Sequence, residues 1–219
     1  MTTFFVTATG TEIGKTYVTC GLIAGLRRRG ASVAALKPVI SGFDPRDAAT
    51  SDTGLILKAL GKQLNEQNVA EISPWRFHAP LSPDMAAERE DRPINLDALL
   101  AICAGADHPD RITFIEGAGG IMSPLSPRFT NLDLIDAIDA HVLLVAGTYL
   151  GTISHTLTAC EALKARGRDP WTIILSESTQ SPVPPAETAR TLARFSDAPI
   201  IVVSRGSEPP SELLSLLVR

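Results

Sequence analysis

Six short apolar runs constrain this chain more than any other feature. They are "FFVTA" (residues 4–8), "SVAALK" (32–37), "ITFIEG" (112–117), "HVLLVAG" (141–147), "WTIILS" (171–176) and "PIIVVS" (199–204). Their hydrophobicity is two-sided, as it is in strands covered on both faces, which is the condition of a parallel sheet. Helical patterns fall between them, over residues 14–29, 53–60, 96–104, 131–138, 152–166, 185–195 and 210–217. The first of these ends in "RRRG" (27–30), with arginines at the negative helix end and Gly30 as terminator. Strand alternating with helix predicts an α/β fold, doubly wound, with a mainly parallel sheet of about seven strands and helices on both faces. At 219 residues the chain is long enough to bury one substantial core. It carries no internal repeat and no composition shift, so a single domain over 1–219 is expected. The proline-punctuated stretch 73–94 is the irregular part, longer than a simple connection.

Charge and cysteine usage exclude several functions. A net charge of −4 argues against nucleic acid or an acidic membrane as the main partner. Cys20, Cys103 and Cys160 are too scattered for a disulfide framework or zinc cluster and sit among apolar neighbours. They read as buried reduced thiols in a cytoplasmic protein. The start has no basic segment or long apolar run, and no stretch approaches 18 apolar residues, so neither a signal peptide nor a membrane span is expected.

The first strand runs into "ATGTEIGKT" (8–16), which has the G-K-T ending of a P-loop at the mouth of a helix. Glycine lets backbone N–H groups turn toward an anion, and a helix N-terminus adds positive potential. Lys15 is placed to reach β- and γ-phosphates and Thr16 to ligate Mg²⁺. The spacing departs from the standard pattern, since Thr9 stands where a glycine is usual and Gly10 follows it. A helix can also begin with glycine and lysine for no other purpose. The strand, loop, G-K-T and helix in succession point to nucleotide.

Ligands of open α/β sheets lie at the carboxyl ends of the strands. Glu116 ends "ITFIE" there and is followed by Gly117, Ala118, Gly119 and Gly120, which permit close backbone approach. Asp52 in "TSDTG" opens a helix, either as a first-turn carboxylate on the dipole or as a group turned to the metal. Lys37 ends its strand before Pro38, as a surface lysine or as a cation for an anionic intermediate. Ser41-Gly42 follows, as a turn or as a ligand contact.

Taken together, these segments resemble the dethiobiotin synthetase family, P-loop enzymes that close the ureido ring in biotin synthesis. "FFVTATGTEIGKT" resembles the family's strand and variant P-loop, "LKPVISG" its Lys-Pro-Val-x-Ser-Gly segment, and "SDTGLIL" its Ser-Asp helix start. "FHAPLSPDMAAERE" resembles its Pro-x-Ser-Pro loop, "FIEGAGGIMSPL" its Glu-Gly-Ala-Gly-Gly stretch, and "YLGTISHTLTACEAL" its Leu-Gly-x-Ile-x-His-x-Leu helix. The six matches are in order and cover most of the chain.

The resemblance implies the chemistry and the roles. 7,8-Diaminononanoate takes up CO₂ (from bicarbonate) as a carbamate, ATP phosphorylates the carbamate, and the second amine closes the ring. Lys37, Lys15 and Thr11 are implied to be catalytic. ATP would be held by Glu12, Ile13, Gly14, Lys15, Thr16, Tyr17, Asp52, Glu116, Gly117, Ala118, Gly119, Ser176 and Glu177. The cofactor Mg²⁺ would be held by Thr16, Asp52 and Glu116. The substrate would be held by Thr11 and Ser41, with its distant carboxylate met by Gly151, Thr152 and Ile153 at a helix start of the other subunit. A homodimer with a shared site follows. Against the family pattern, Ala8 replaces a loop glycine, with Gly10 left to relieve the backbone. Asp84 replaces a histidine, Tyr149 a lysine, and Ser176-Glu177 an Asn-Asp pair that reads adenine; a Glu-x-Pro stretch is missing from "VVSRGSEPP". The alternative reading is a switch ATPase of the partition or septum-site type. Those proteins carry a second lysine early in the loop, where this chain has Thr9.

Overall fold

The computed structural model describes residues 2–218. The chain order is β1 (Thr3–Ala8), α1 (Lys15–Arg28), β2 (Val33–Leu36), β3 (Val39–Ser41), α2 (Asp52–Leu60), α3 (Glu66–Ile72), β4 (Trp75–Phe77), α4 (Pro83–Arg89) and α5 (Leu96–Gly105). It continues with β5 (Ile112–Glu116), β6 (Pro124–Ser126), β7 (Phe129–Thr130), α6 (Asn131–Ile138), β8 (His141–Ala146), α7 (Thr152–Lys164), β9 (Thr172–Ser176), α8 (Pro185–Leu192), β10 (Ile200–Val203) and α9 (Ser211–Leu216).

The six apolar runs form one parallel sheet in the order β10-β9-β8-β1-β5-β2, the doubly wound arrangement expected, with six strands. Its faces divide the apolar residues by the two-residue period of a strand. Phe4, Val6 and Ala8 of β1 pack with Leu22, Ile23 and Leu26 of α1 and with Leu213 of α9. Phe5 packs on the other face with Leu99 of α5, Ile135 of α6 and Leu163 of α7. Beta5, paired on both sides, has no exposed residue at all, including its terminal glutamate.

Beta1 lies in the middle, and the chain leaves it in both directions, to β2 beyond β5 and later to β8 on the opposite side. The crevice at the carboxyl ends of β1, β5 and β2 is therefore the switch point where ligands of this architecture bind. Ser51 caps α2 by accepting a hydrogen bond from the Gly54 N–H at 3.2 Å, which sets Asp52 in the first turn beside that crevice.

The irregular stretch 73–94 contains two short elements, β4 and α4, and β4 pairs in parallel with β3 in a separate two-stranded sheet. Among the described residues no helix is long and apolar enough to cross a membrane. All three cysteines are free, but only Cys103 is buried; Cys20 and Cys160 are half-buried, a correction to the expectation of three buried thiols.

Candidate active site

The P-loop follows β1 with Thr9 N–H bonded to the Val145 carbonyl at 3.1 Å. Its left-handed residues are Glu12 (φ 58°) and Gly14 (φ 98°), whereas Ala8 and Gly10 do not have positive φ. Ala8 thus replaces glycine without strain, and the backbone relief assigned to Gly10 belongs to Gly14. A Cβ on Gly14 would lie 2.5 Å from Ser176 Oγ, so the loop rests directly on the end of β9. Lys15 is 7% exposed and donates to the Gly10 carbonyl at 3.3 Å. Burial, and then the neighbouring Lys37, lower its pKa to about 8.

Opposite the P-loop stands a buried ionic cluster. Lys37, 3% exposed, donates to Glu116 Oε1 at 2.8 Å, pairs with Asp52 Oδ2 at 2.9 Å and reaches the Gly117 carbonyl at 3.3 Å. Burial alone would lower its pKa, but the carboxylates of Glu116 and Asp52 outweigh that and hold it above the ordinary lysine value. Asp52 is likewise opposed by burial, and Lys37 holds its carboxyl below the usual range. Lys37 is therefore not a surface lysine, and Asp52 is both a first-turn residue and an ion-pair partner.

Thr16 Oγ1 donates to the same Oε1 of Glu116 at 2.7 Å, and Thr19 Oγ1 to Oε2 at 2.6 Å. Thr16, Asp52 and Glu116 thus converge as one hydroxyl and two carboxylates, hard oxygen donors of the kind Mg²⁺ takes. The Lys37 ammonium lies between the two carboxylates and pairs with both. Among the described residues no cluster of three His, Cys, Asp or Glu side chains suits a metal, so phosphate oxygens would have to complete any coordination.

A cavity of about 620 Å³ joins these groups. The P-loop lines one wall from Thr11 to Tyr17, Lys37, Ser41 and Asp52 line another, and Ala118 and Gly119 a third. Ser41 ends β3, and its Oγ is buried with no hydrogen-bond partner in the protein. Glu116 and Gly117 lie just behind this lining.

Five expected residues fall elsewhere or touch the cavity only indirectly. Ser176 supports Gly14 from below. Glu177 accepts the Arg205 N–H at 3.0 Å and so holds the loop after β10. Gly151 to Ile153 form the start of α7, where Thr152 is buried and donates to the Gly147 carbonyl at 2.8 Å. Beyond Tyr17 a larger, apolar groove of about 870 Å³ runs along α1, floored by Cys20, Gly21 and Ala24 and walled by Gly206 to Pro209. The Tyr17 hydroxyl donates to the Ser207 carbonyl at 2.5 Å across the boundary between the two spaces.

Sequence reading missed Thr19 and Asn131. Thr19 is three residues after Thr16, one turn along the same helix face, and a threonine in an otherwise apolar stripe was the available signal.

The sequence matches the family described as "AAA domain" over residues 2–208. It is 49% identical over 209 residues to the ATP-dependent dethiobiotin synthetase BioD of Caulobacter sp. (strain K31), covering 94% of this chain and 89% of that one. With the enzyme of the same name from Methylobacterium nodulans it shares 45% over 224 residues, 99% of each chain. The chain belongs to the dethiobiotin synthetase family. Among solved structures, the cell division ATPase MinD of Pyrococcus furiosus aligns over 100% of this chain and 88% of its own, with a TM-score of 0.50 and 15% identity. That likeness concerns the fold alone.

Proposed function

We propose that this chain closes the ureido ring of dethiobiotin from 7,8-diaminononanoate, CO₂ and ATP. Membership of the family makes it an ATP-dependent ligase of biotin biosynthesis; the residue roles below are our reading. The observation that carries it is Lys37, a second buried cation fixed in the same cavity as the P-loop Lys15. A phosphate cradle needs Lys15; a carbamate beside it needs another positive charge.

One amine of the diamine takes up CO₂ as a carbamate, held between Lys37 and the hydroxyls of Thr11 and Ser41. The unpartnered Ser41 Oγ supports that placement, since a buried hydroxyl without a partner is costly unless a ligand satisfies it. A carbamate oxygen attacks the γ-phosphorus, ADP leaves, and Lys15 and Lys37 neutralise the charge that spreads over the transferring group. The second amine attacks the carbonyl carbon, loses a proton and expels phosphate. Fixing both reactants in one cavity removes much of the entropic barrier. Thr16, Asp52 and Glu116 would hold Mg²⁺, which when bound with ATP supplies neutralising charge at the phosphate oxygens. Ser176 and Glu177 shape the base side through the P-loop and the 204–209 loop.

The substrate's carboxylate is met by the α7 N-terminus, Gly151 to Ile153, of a second copy, giving a homodimer with a shared site. In support, these residues are not among those lining the chain's own cavity, and the adjoining Leu150 is 87% exposed. The reaction belongs in the cytoplasm, with ATP and bicarbonate at hand.

Phosphate release from MgATP with bicarbonate, measured with and without 7,8-diaminononanoate, tests the proposal. Release that depends strictly on the diamine is the expected result. Slow release indifferent to it would favour a nucleotide switch and overturn the reading.

A further inference from the structure

Asn131 begins α6, is fully buried, and turns its carboxamide to the glycine-rich loop after β5. Its Nδ2 donates to the Ala118 carbonyl at 2.7 Å and to the Gly120 carbonyl at 2.8 Å. Its Oδ1 is buried and has no partner. An unpaired buried oxygen costs about 1–3 kcal/mol, so an apolar side chain would serve simple packing better, and the two N–H bonds identify what the residue does.

Trans peptide geometry turns this contact into a direction. The chain contains no cis peptide among the described residues, and in a trans peptide C=O and N–H point to opposite sides. Asn131 draws the Ala118 carbonyl into the protein, and the Gly119 N–H of the same peptide therefore faces the other way, into the cavity that Ala118 and Gly119 line. Three neighbouring donors are pinned to protein: Gly117 N–H to the Val6 carbonyl at 3.0 Å, Gly120 N–H to Ser123 Oγ at 2.8 Å and Ile121 N–H to the Ala8 carbonyl at 2.9 Å. Gly119 itself is left-handed, at φ 72°, which lets the loop make this turn.

We propose that Asn131 is a positioning residue that aims the Gly119 N–H at the developing negative charge of the carbamate as it is phosphorylated. The inference rests on the reaction proposed above and names a donor on the wall formed by the loop after β5, which meets the P-loop at Thr11. A backbone N–H held in place before the reaction stabilises charge without reorganising, as oxyanion donors do.

Asn131→Asp keeps the shape and removes both N–H donors. The expected result is a fall in kcat of about tenfold to a hundredfold, with KM for MgATP within about twofold of wild type. In the variant the Gly119 amide resonance, assigned by glycine-selective ¹⁵N labelling, should shift. Unchanged kcat would overturn the proposal, and so would kcat and ATP binding lost together, which marks a structural role. If the variant does not fold, the wild-type protein still decides. Its Gly119 amide must move when diamine and bicarbonate join a non-hydrolysable MgATP analogue, and a stationary resonance overturns the assignment. A wild type with no diamine-dependent phosphate release sinks the reaction itself and this proposal with it. Full turnover in Asn131→Asp beside an active wild type sinks only the positioning role.

Discussion

The crevice beside β1 has two sides built by different means. On the side of β5 and β2, charge does the work. Lys37, Asp52, Glu116, Thr16 and Thr19 satisfy one another through side chains at 2.6 to 2.9 Å. On the side of β9 and β10, backbone does it. Ser176 abuts Gly14, Glu177 accepts the Arg205 N–H, and Tyr17 donates to the Ser207 carbonyl. Side-chain networks in low dielectric are unforgiving of single changes, because each lost partner strands another charge. Loop carbonyls and amides tolerate side-chain replacement. Ser176 and Glu177 fall on the tolerant side.

The largest effect should follow from breaking the charged side. Lys37→Ala leaves Glu116, which is fully buried, beside Asp52 with no cation between them. Removing one partner of a buried pair costs about 3 kcal/mol, measurable by urea denaturation. Turnover should fall at least about a thousandfold, since a fixed charge at the reacting group is lost, while MgATP binding by calorimetry persists. Near-normal turnover would remove Lys37 from the chemistry.

The two sides meet at Gly14, and a substitution there tests how far they are coupled. Gly14→Ala meets two obstacles, a left-handed φ of 98° and a Cβ position 2.5 Å from Ser176 Oγ. Together they should cost about 2 kcal/mol or more and weaken nucleotide binding. Adding Ser176→Ala removes the second obstacle but not the first, so the double variant should regain part of the loss and no more. A double variant as impaired as Gly14→Ala would mean that the contact between loop and strand is not limiting.

Smaller again is Glu177→Ala, which frees the Arg205 N–H and loosens the 204–209 loop. KM for the nucleotide should rise a few-fold with kcat unchanged, and discrimination among bases in a nucleotide panel should weaken. A matching fall in kcat would contradict the division of labour between the two sides.

What sequence could disclose follows the same division. All six strands of the main sheet are legible because their burial is written into contiguous residues. Lys37, Asp52 and Glu116 are legible as candidates because they stand at strand or helix ends next to proline, serine and glycine. Their mutual contact is not legible, since it closes over 79 residues between Lys37 and Glu116. Beta3 and β4 escaped for want of length, at three residues each. Alpha3 escaped because only Val69 and Ile72 in it are buried, too few to set a period. Asn131 looks like an ordinary residue at a helix start, and only its bonds to Ala118 and Gly120 reveal otherwise.

The smallest expected effect comes from Cys20, which lies on α1 between the two sides. Burial, and then the charges of Glu116 and Asp52, raise its thiol pKa to about 12. A group whose pKa is raised by folding holds its proton more tightly in the native state. Its contribution is full below the unfolded thiol value near 9 and is lost as pH climbs toward 12. Stability should therefore decline more steeply between pH 9 and pH 10.5 in the wild type than in Cys20→Ala, compared by urea denaturation at matched ionic strength. Parallel declines would mean that folding does not hold this thiol protonated. A shallower slope in Cys20→Ala would show that it does, through burial first and the charges of Glu116 and Asp52 second.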